Sequence, residues 1–401
     1  MEFDAAKALQ ELLLRYASLG QEPGGGISRT FGSQAYQQAA QALEAELKSM
    51  GLRSWIDPVG NVHGVLAGTG PGPRRELLLG SHLDTVREGG AFDGLLGVLA
   101  PVVCCQRLAA QGKTLPFDLH IIATNGEEGN ELGGTFGSRC LTGLFDPQAP
   151  GMPEKLAKYH LTPEGVRASA LDFSRALGWL ELHIEQGPTL EETGDQIGIV
   201  TGIVGLQRYA IRIQGESNHA GTTMMDYRKD ALVGAAELIC NGDRLARQLG
   251  HDLVCTFSNL SVHPNATAVI NDRVQLLLEC RNRDEGLMEQ FISQLRDFFQ
   301  PRPGVNCTFE NTVKKAPVDC DPHLTACSEA ACRRLGFRYR RMPSGATHDG
   351  NMFAQKVPIG MIFVPSRGGI SHSKEEWTDW SSCGQGLEVL YQTILQLEGN
   401  P

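Results

Sequence analysis

The sequence predicts an α/β protein of two domains: a mixed-sheet domain assembled from both ends of the chain, and a smaller β-α-β-β-α-β domain inserted between them. Three observations carry this expectation. The chain has 401 residues, more than one ordinary core accommodates. Strand-like and helix-like segments alternate up to about residue 205 and again beyond 316, the pattern of a sheet covered on both faces. Between those points the order of elements changes.

Taken in order, the chain opens on an amphipathic helix carrying Leu9, Leu12, Leu13 and Tyr16. Residues 34–50 form a second helix stopped by Gly51, and 94–111 a third stopped by Gly112, because glycine readily takes the left-handed conformation that closes a helix. The runs 61–67, 76–79, 118–124 and 180–183 are short and apolar, as strands are. From Leu206 the character shifts. Residues 209–214 alternate as a half-buried strand, 226–249 are helical, and 253–257 and 274–280 are strands. Residues 285–299 form a helix with Leu287, Phe291, Leu295 and Phe298 on one face, and 305–313 a last strand. That order is the ferredoxin-like unit, placed at 206–316. Asp321 and Pro322 then open a helix as N-cap and first-turn residue, ended by Gly336. A strand at 357–364 and a helix at about 382–397 return to the style of residues 1–205, so 1–205 and 317–401 form one domain. Insertions of this kind are tolerated because domain termini often lie close together.

The net charge is −10 and no Lys/Arg cluster is interleaved with aromatics, which argues against nucleic acid and anionic membranes as partners and for a small substrate. Eleven cysteines, an odd number with no Cys-x-x-Cys pair, indicate neither a disulfide framework nor a thiolate zinc site. They are expected to be reduced, in the cytoplasm. The acidic start Met-Glu-Phe-Asp is not that of a signal peptide, and no apolar run approaches the roughly 20 residues of a membrane span.

Several apolar runs deliver a histidine or carboxylate at or near their carboxyl ends. The run 77–79 leads to His82, Asp84 and Asp93; 118–124 to Glu127 and Glu128; 180–183 ends in His183; 357–364 leads toward His372. In an open α/β sheet those ends converge on one crevice. His82, Asp93, Glu128, His183 and His372 are ligands of the type zinc and manganese take, and a carboxylate among them can bridge two ions about 3.5–4 Å apart. The larger domain is therefore expected to be a di-metal catalytic domain holding two divalent ions, zinc or manganese first, cobalt or nickel next. Asp84, two residues beyond His82, is placed to accept the imidazole's other N–H. Glu127, adjacent to a ligand, cannot readily bind the same ion but can serve as general base toward a water and pass the proton to a leaving nitrogen. His120, alternating with apolar residues inside its strand, reads as a structural histidine. His63, His160, His251, His263 and His323 lie in loops or element ends without ligand-like company.

The segments Gly-Ser-His-Leu-Asp-Thr-Val, Phe-Asp-Gly, Glu-Glu-Gly, Leu-His-Ile-Glu-Gln-Gly-Pro, Asn-His-Ala-Gly-Thr-Thr and Gly-Ile-Ser-His-Ser resemble the peptidase M20-type amidohydrolases, in the branch of N-carbamoyl-L-amino acid hydrolases, β-ureidopropionases and allantoate amidohydrolases. The resemblance spans nearly the whole chain. It implies that His82, Asp93 and His183 hold one metal, that Asp93, Glu128 and His372 hold the other, and that Glu127 is the acid/base. It implies that His219 hydrogen-bonds the oxyanion, frequently from a partner subunit, and that Arg281 clamps a substrate carboxylate. It also implies a homodimer through the inserted domain, which acts as a lid. The chain departs from the pattern at Leu206, where relatives have glutamine, at Ala268, where they have asparagine, and at Thr347, where glycine is common. Gln207, Asn265 and Asn271 are candidates to compensate, and His348 and Gly369 are further candidate substrate contacts. The expected reaction is hydrolysis of a carbamoyl C–N bond on a small carboxylate, with allantoate as the alternative substrate and N-acyl-amino acids or dipeptides third. A catalytically silent metal- or ligand-binding protein is the reading from another class.

Overall fold

The computed structural model describes residues 3–397 except Pro71, His251 and 300–303, so the loop assignment of His251 lies outside the described residues. The chain divides into two compact units, Met1–Thr201 with Asp319–Pro401, and Gly202–Val318. Strands β1 (Arg53–Ile56), β2 (Val62–Leu66), β3 (Glu76–His82), β4 (Asp118–Thr124), β5 (Ala176–Ile184) and β6 (Ile197–Ile203) precede the insertion. Strands β7 (Gly205–Gln214), β8 (Val254–His263), β9 (Arg273–Asn282) and β10 (Asn306–Lys315) belong to it. After it come β11 (Val318–Asp319), β12 (Tyr339–Ser344) and β13 (Ile359–Val364).

The larger sheet runs β1-β2-β4-β3-β5-β13-β6-β11, with β12 beside β6. Strands β4, β3, β5 and β13 are parallel to one another, while β2 and β6 run against their neighbours, so the sheet is mixed. Parallel strands buried on both faces read as continuous apolar runs, as β13 does. Helices Ala5–Ala17, Gln34–Ser49, Leu95–Ala110, Pro322–Leu335 and Trp380–Leu397 contribute to one core. Asp4, Ser33 and Asp321 cap three of them through their side chains, each accepting free N–H groups of the first turn. Gly51, Gly112 and Gly336 take positive φ beyond helix ends, as their positions predict. Short helices at Phe136–Leu141, Met152–Lys158 and Pro163–Ala168 were not announced by periodicity, since each spans fewer than two turns or barely reaches them. His63 lies inside β2 and is buried, not in a loop.

In the second unit the sheet order is β10-β7-β9-β8 and the chain order β-α-β-β-α-β, with helices Ala231–Leu249 and Glu285–Phe298. Ile211, Ile213, Val274, Leu276, Leu278, Phe291 and Leu295 fill its core. Arg208, Arg212, Glu279 and Arg281 alternate with the buried positions and line the opposite, polar face. The first helix starts at Ala231 rather than 226, because Asp230 caps Leu232 and Val233 and a 3-10 turn occupies Met225–Tyr227. The buried stripe of the second helix is Met288, Phe291, Ile292 and Leu295, with Phe298 exposed.

Candidate active site

Because β4, β3, β5 and β13 are adjacent and parallel, their carboxyl ends lie along one edge of the sheet. His82 closes β3, His183 lies one residue from the end of β5, Glu127 and Glu128 follow β4, and His372 follows β13. Asp93 sits at the start of helix Leu95–Ala110, where Gly94 is required: a Cβ there would lie 2.4 Å from the His82 carbonyl oxygen and 2.5 Å from its ring.

The Asp93 carboxylate joins the groups. Its Oδ1 lies 3.4 Å from His82 Nε2 and 3.2 Å from His183 Nε2. Its Oδ2 lies 3.4 Å from His372 Nε2, which is 3.3 Å from Glu128 Oε1. His82 Nδ1 donates to the Asp84 carbonyl at 3.0 Å and His183 Nδ1 to the Ile184 carbonyl at 2.9 Å, so in the neutral rings each Nε2 presents a lone pair to a carboxylate oxygen. Asp93 Oδ1 and His183 Nε2 are buried without a hydrogen-bond partner. Lone pairs converging in this way fit a cation between them, and the separations match the edge of a tetrahedron with bonds near 2.0–2.1 Å, about 3.3 Å. His82, Asp93 and His183 form one such group and Asp93, Glu128 and His372 the other. Two further clusters are present among the described residues: Glu127 joins His82 and Glu128, and Glu181 joins His183 and His348, where Glu181 and His348 already have other partners. Glu181 accepts from Ser81 Oγ and Trp179 Nε1, and His348 Nε2 meets Ser344 Oγ at 2.7 Å.

Asp84 does something other than the sequence suggested. Its carbonyl, not its carboxylate, takes the His82 proton; the carboxylate accepts the backbone N–H groups of Gly126, Glu127 and Glu128 at 2.9, 3.1 and 3.2 Å. Asp84 therefore shapes the turn that carries Glu127. Burial pushes the half-buried Glu127 carboxyl well above the usual carboxylate range, opposed by His82 and reinforced by Asp349, Glu128 and Asp84. For Asp93 burial acts upward too, yet His183 and His82 hold its carboxyl well below that range.

Sequence reasoning missed several supporting groups. Glu376 is buried and accepts the N–H groups of Phe92 and Asp93 through one oxygen and the Ser371 hydroxyl through the other. Burial raises its carboxyl to about 7, with Asp93 adding to the rise. Gln186 Nε2 donates to Asp93 Oδ2 at 2.8 Å, and Ser371 Oγ, whose one proton serves either Glu376 or Asp93, lies 2.8 Å from the same oxygen. Gln186 and His372 hold left-handed backbone with φ 57° and 55°, strain of the kind that collects at functional sites. The one available signal was the Gln186 position beside His183; nothing in sequence marks Glu376.

Among the other candidates in the first unit, His348 is buried and packs edge-on against His183 with ring centres 4.6 Å apart. Gly369, φ 67°, lies against the backbone of Gly187 and Pro188.

In the second unit, His219 is exposed and its Nδ1 accepts the Gly221 N–H at 3.0 Å. Ala268 and Asn265 lie in the loop between β8 and β9, which pairs with the His219 segment through His219 and Val269. Arg281 lies at the far end of β9, opposite Leu206, and its guanidinium meets Glu279. The eight residue steps of strand from Arg273 to Arg281 span roughly 25 Å, so Ala268 neighbours His219 and not Arg281 in one copy of the chain. Gln207 is buried on the opposite face from Leu206 and Arg281, and its Oε1 is taken by the Tyr209 hydroxyl.

A family model, peptidase family M20/M25/M40, matches residues 78–396. The chain belongs to this family. Among M20 relatives, an N-carbamoyl-L-amino acid amidohydrolase of Geobacillus stearothermophilus is 35% identical, covering 97% of this chain and 98% of its own. An allantoate amidohydrolase of Bacillus subtilis is 34% identical, covering 95% of each. An amidase of the hydantoinase/carbamoylase family from Burkholderia multivorans superposes with a TM-score of 0.89 at 29% identity, over 99% of this chain and 98% of that one.

Proposed function

We propose that the chain is an amidohydrolase that cleaves the carbamoyl C–N bond of an N-carbamoyl-L-amino acid, releasing amino acid, carbon dioxide and ammonia. The observation that carries the reading is the Asp93 carboxylate shared between the His82–His183 and Glu128–His372 groups, with Glu127 beside them. Allantoate is the alternative substrate, favoured by the similarity to allantoate amidohydrolases.

His82, Asp93 and His183 would hold one divalent ion and Asp93, Glu128 and His372 a second; when bound, such ions polarise the scissile carbonyl and acidify water. Mixed histidine and carboxylate ligands suit zinc or manganese, with cobalt or nickel as substitutes. Glu127 takes a proton from the attacking water and returns it to the leaving nitrogen, and its burial raises its basicity. Glu376, Ser371 and Gln186 keep Asp93 oriented. His219 accepts at Nδ1, so the neutral ring carries its proton at Nε2, the form that donates to a developing oxyanion. Arg281 supplies the fork for a substrate carboxylate. The second unit is proposed as lid and dimerisation domain: β8 is an edge strand with Val254 and Leu260 exposed. No helix among the described residues is long and apolar enough to cross a membrane, and all eleven cysteines are free, in keeping with a cytoplasmic setting.

Ammonia release from N-carbamoyl-L-amino acids, β-ureidopropionate, allantoate and N-acyl-amino acids, with metal-stripped and metal-restored protein, tests the proposal. Metal-dependent release from a carbamoyl substrate is expected. Turnover confined to acyl substrates, or none on any, would overturn it.

A further inference from the structure

Four titratable side chains outside the proposed centre form a row across the larger sheet. His63 of β2 and His120 of β4 are diagonal neighbours in the antiparallel register, and Glu76 of β3 joins them through the parallel register of β3 with β4. Glu76 Oε2 lies 3.2 Å from His120 Nδ1, His120 Nε2 lies 3.0 Å from His63 Nδ1, and His63 Nε2 lies 3.5 Å from Asp57 Oδ2. His63, His120 and Asp57 are buried, and Trp55 stacks flat on His63 with ring centres 4.6 Å apart.

The row has one complete protonation state. Ionised carboxylates have no proton to give, so His120 Nδ1, hydrogen-bonded to Glu76, and His63 Nε2, in a longer charge contact with Asp57, both need hydrogen, and the inner contact needs one more, on one side only. Three N–H protons on two imidazoles make one neutral ring and one imidazolium. With one proton fewer, some contact sets a lone pair against an acceptor; with one more, the inner nitrogens oppose hydrogen to hydrogen. Burial lowers His120, with Glu76 raising it and His63 and Arg53 lowering it, so His120 is the ring that stays neutral. Trp55 stacks its face on the His63 ring, a placement that favours positive charge on that side of the pair. The other ionisable groups facing the row are Arg53, over Trp55, and Tyr36 and Cys140, which face Asp57.

Asp57 carries the row onward. Its Oδ1 accepts the N–H groups of Val59 and Asn61, and its Oδ2 the Asn61 side-chain amide at 2.8 Å. Asn61 Oδ1 accepts the Asn125 N–H at 2.9 Å, and Asn125 Nδ2 donates to the Val59 carbonyl at 2.8 Å. Asn125 is two residues before Glu127, and a Cβ on Gly137 would fall 2.2 Å from Asn61 Oδ1, so the junction is tightly packed.

We propose that the singly protonated His63–His120 pair is a positioning device for Glu127: the pair holds Asp57, Asp57 holds Asn61, and Asn61 fixes the turn that aims the Glu127 carboxyl. This rests on the reading of Glu127 as the acid/base. Because the shared proton is lost as pH rises, turnover has an alkaline limb that belongs to the row.

The test is kcat and KM against pH for the metal-loaded, full-length enzyme, using the better substrate among N-carbamoyl-L-amino acids and allantoate. Metal content and thermal unfolding are measured alongside. His63→Phe fills the space without a donor and is expected to lower kcat by about 10- to 10²-fold, the scale of a small misplacement, with KM and metal content unchanged. His63→Gln offers Asp57 an amide donor at every pH, so kcat should recover in part and the alkaline limb should shift or vanish; it also serves if His63→Phe does not fold. Wild-type kcat and pH profile in the folded variants would overturn the proposal, as would a parallel loss of metal or rise in KM. Glu127→Gln separates the two levels. If it is inactive while the His63 variants behave as wild type, the row alone fails; if it remains active, the acid/base reading fails and the row with it.

Discussion

Glu127 and Glu128 are neighbours in sequence, yet Glu128 faces His372, while the proposed function gives Glu127, which groups with His82 and Glu128, the task of moving protons. Glu127→Gln should therefore leave metal content near the wild-type level while lowering kcat by about 10²–10⁴-fold; metal analysis beside an ammonia assay reads both, and unchanged turnover would return Glu127 to an ordinary loop acid. Asp84→Asn removes part of a carboxylate that accepts three backbone N–H groups and puts an amide donor among them. It should lower kcat with KM little changed, and a variant with wild-type kcat would show that the turn holds without it. The residues of the two candidate clusters around Asp93 were legible because they lie at or beyond the ends of apolar runs at the sheet edge where loops meet. The roles of Asp84 and Glu376 were not, because both act through backbone N–H groups, and a backbone donor leaves no mark in a side-chain pattern.

At the level of elements, helices with a capping side chain before them and a glycine behind them could be placed from sequence almost to the residue, as for Gln34–Ser49 and Pro322–Leu335. Strand β1 and the short helices between 136 and 168 could not, having too few residues to establish a period. Register was the subtler loss. Gln207 and Leu206 differ by one position and so occupy opposite faces of β7, which only pairing with β9 reveals. The loop after β8 offers a test of its own: Ala268 has φ 64°, where a non-glycine residue other than asparagine or aspartate is strained by about 1–2 kcal/mol. Ala268→Asn should raise stability by about 0.5–1 kcal/mol, read as an upward shift of the urea midpoint. No shift would mean that the loop relaxes without help.

For the whole molecule, chelation should abolish turnover and readdition of zinc or manganese restore it; full activity of exhaustively stripped protein would remove the metals from the mechanism. Light scattering should report a dimer, and Leu260→Glu on the exposed edge strand should weaken it. His219 and Arg281 stand at opposite ends of one sheet. If both serve one substrate they come from different copies, and mixing His219→Ala with Arg281→Ala subunits should restore about a quarter of wild-type activity in re-formed dimers. No restoration would confine each site to one chain. The strand order has a further consequence for the order of synthesis. β13 lies between β5 and β6, so the first unit's sheet lacks an interior strand until residue 364 has been made, whereas the second unit is contiguous and complete by 318. As the chain leaves the ribosome, the inserted unit can fold while the first unit still waits for β13, its apolar β5 edge uncovered in the meantime.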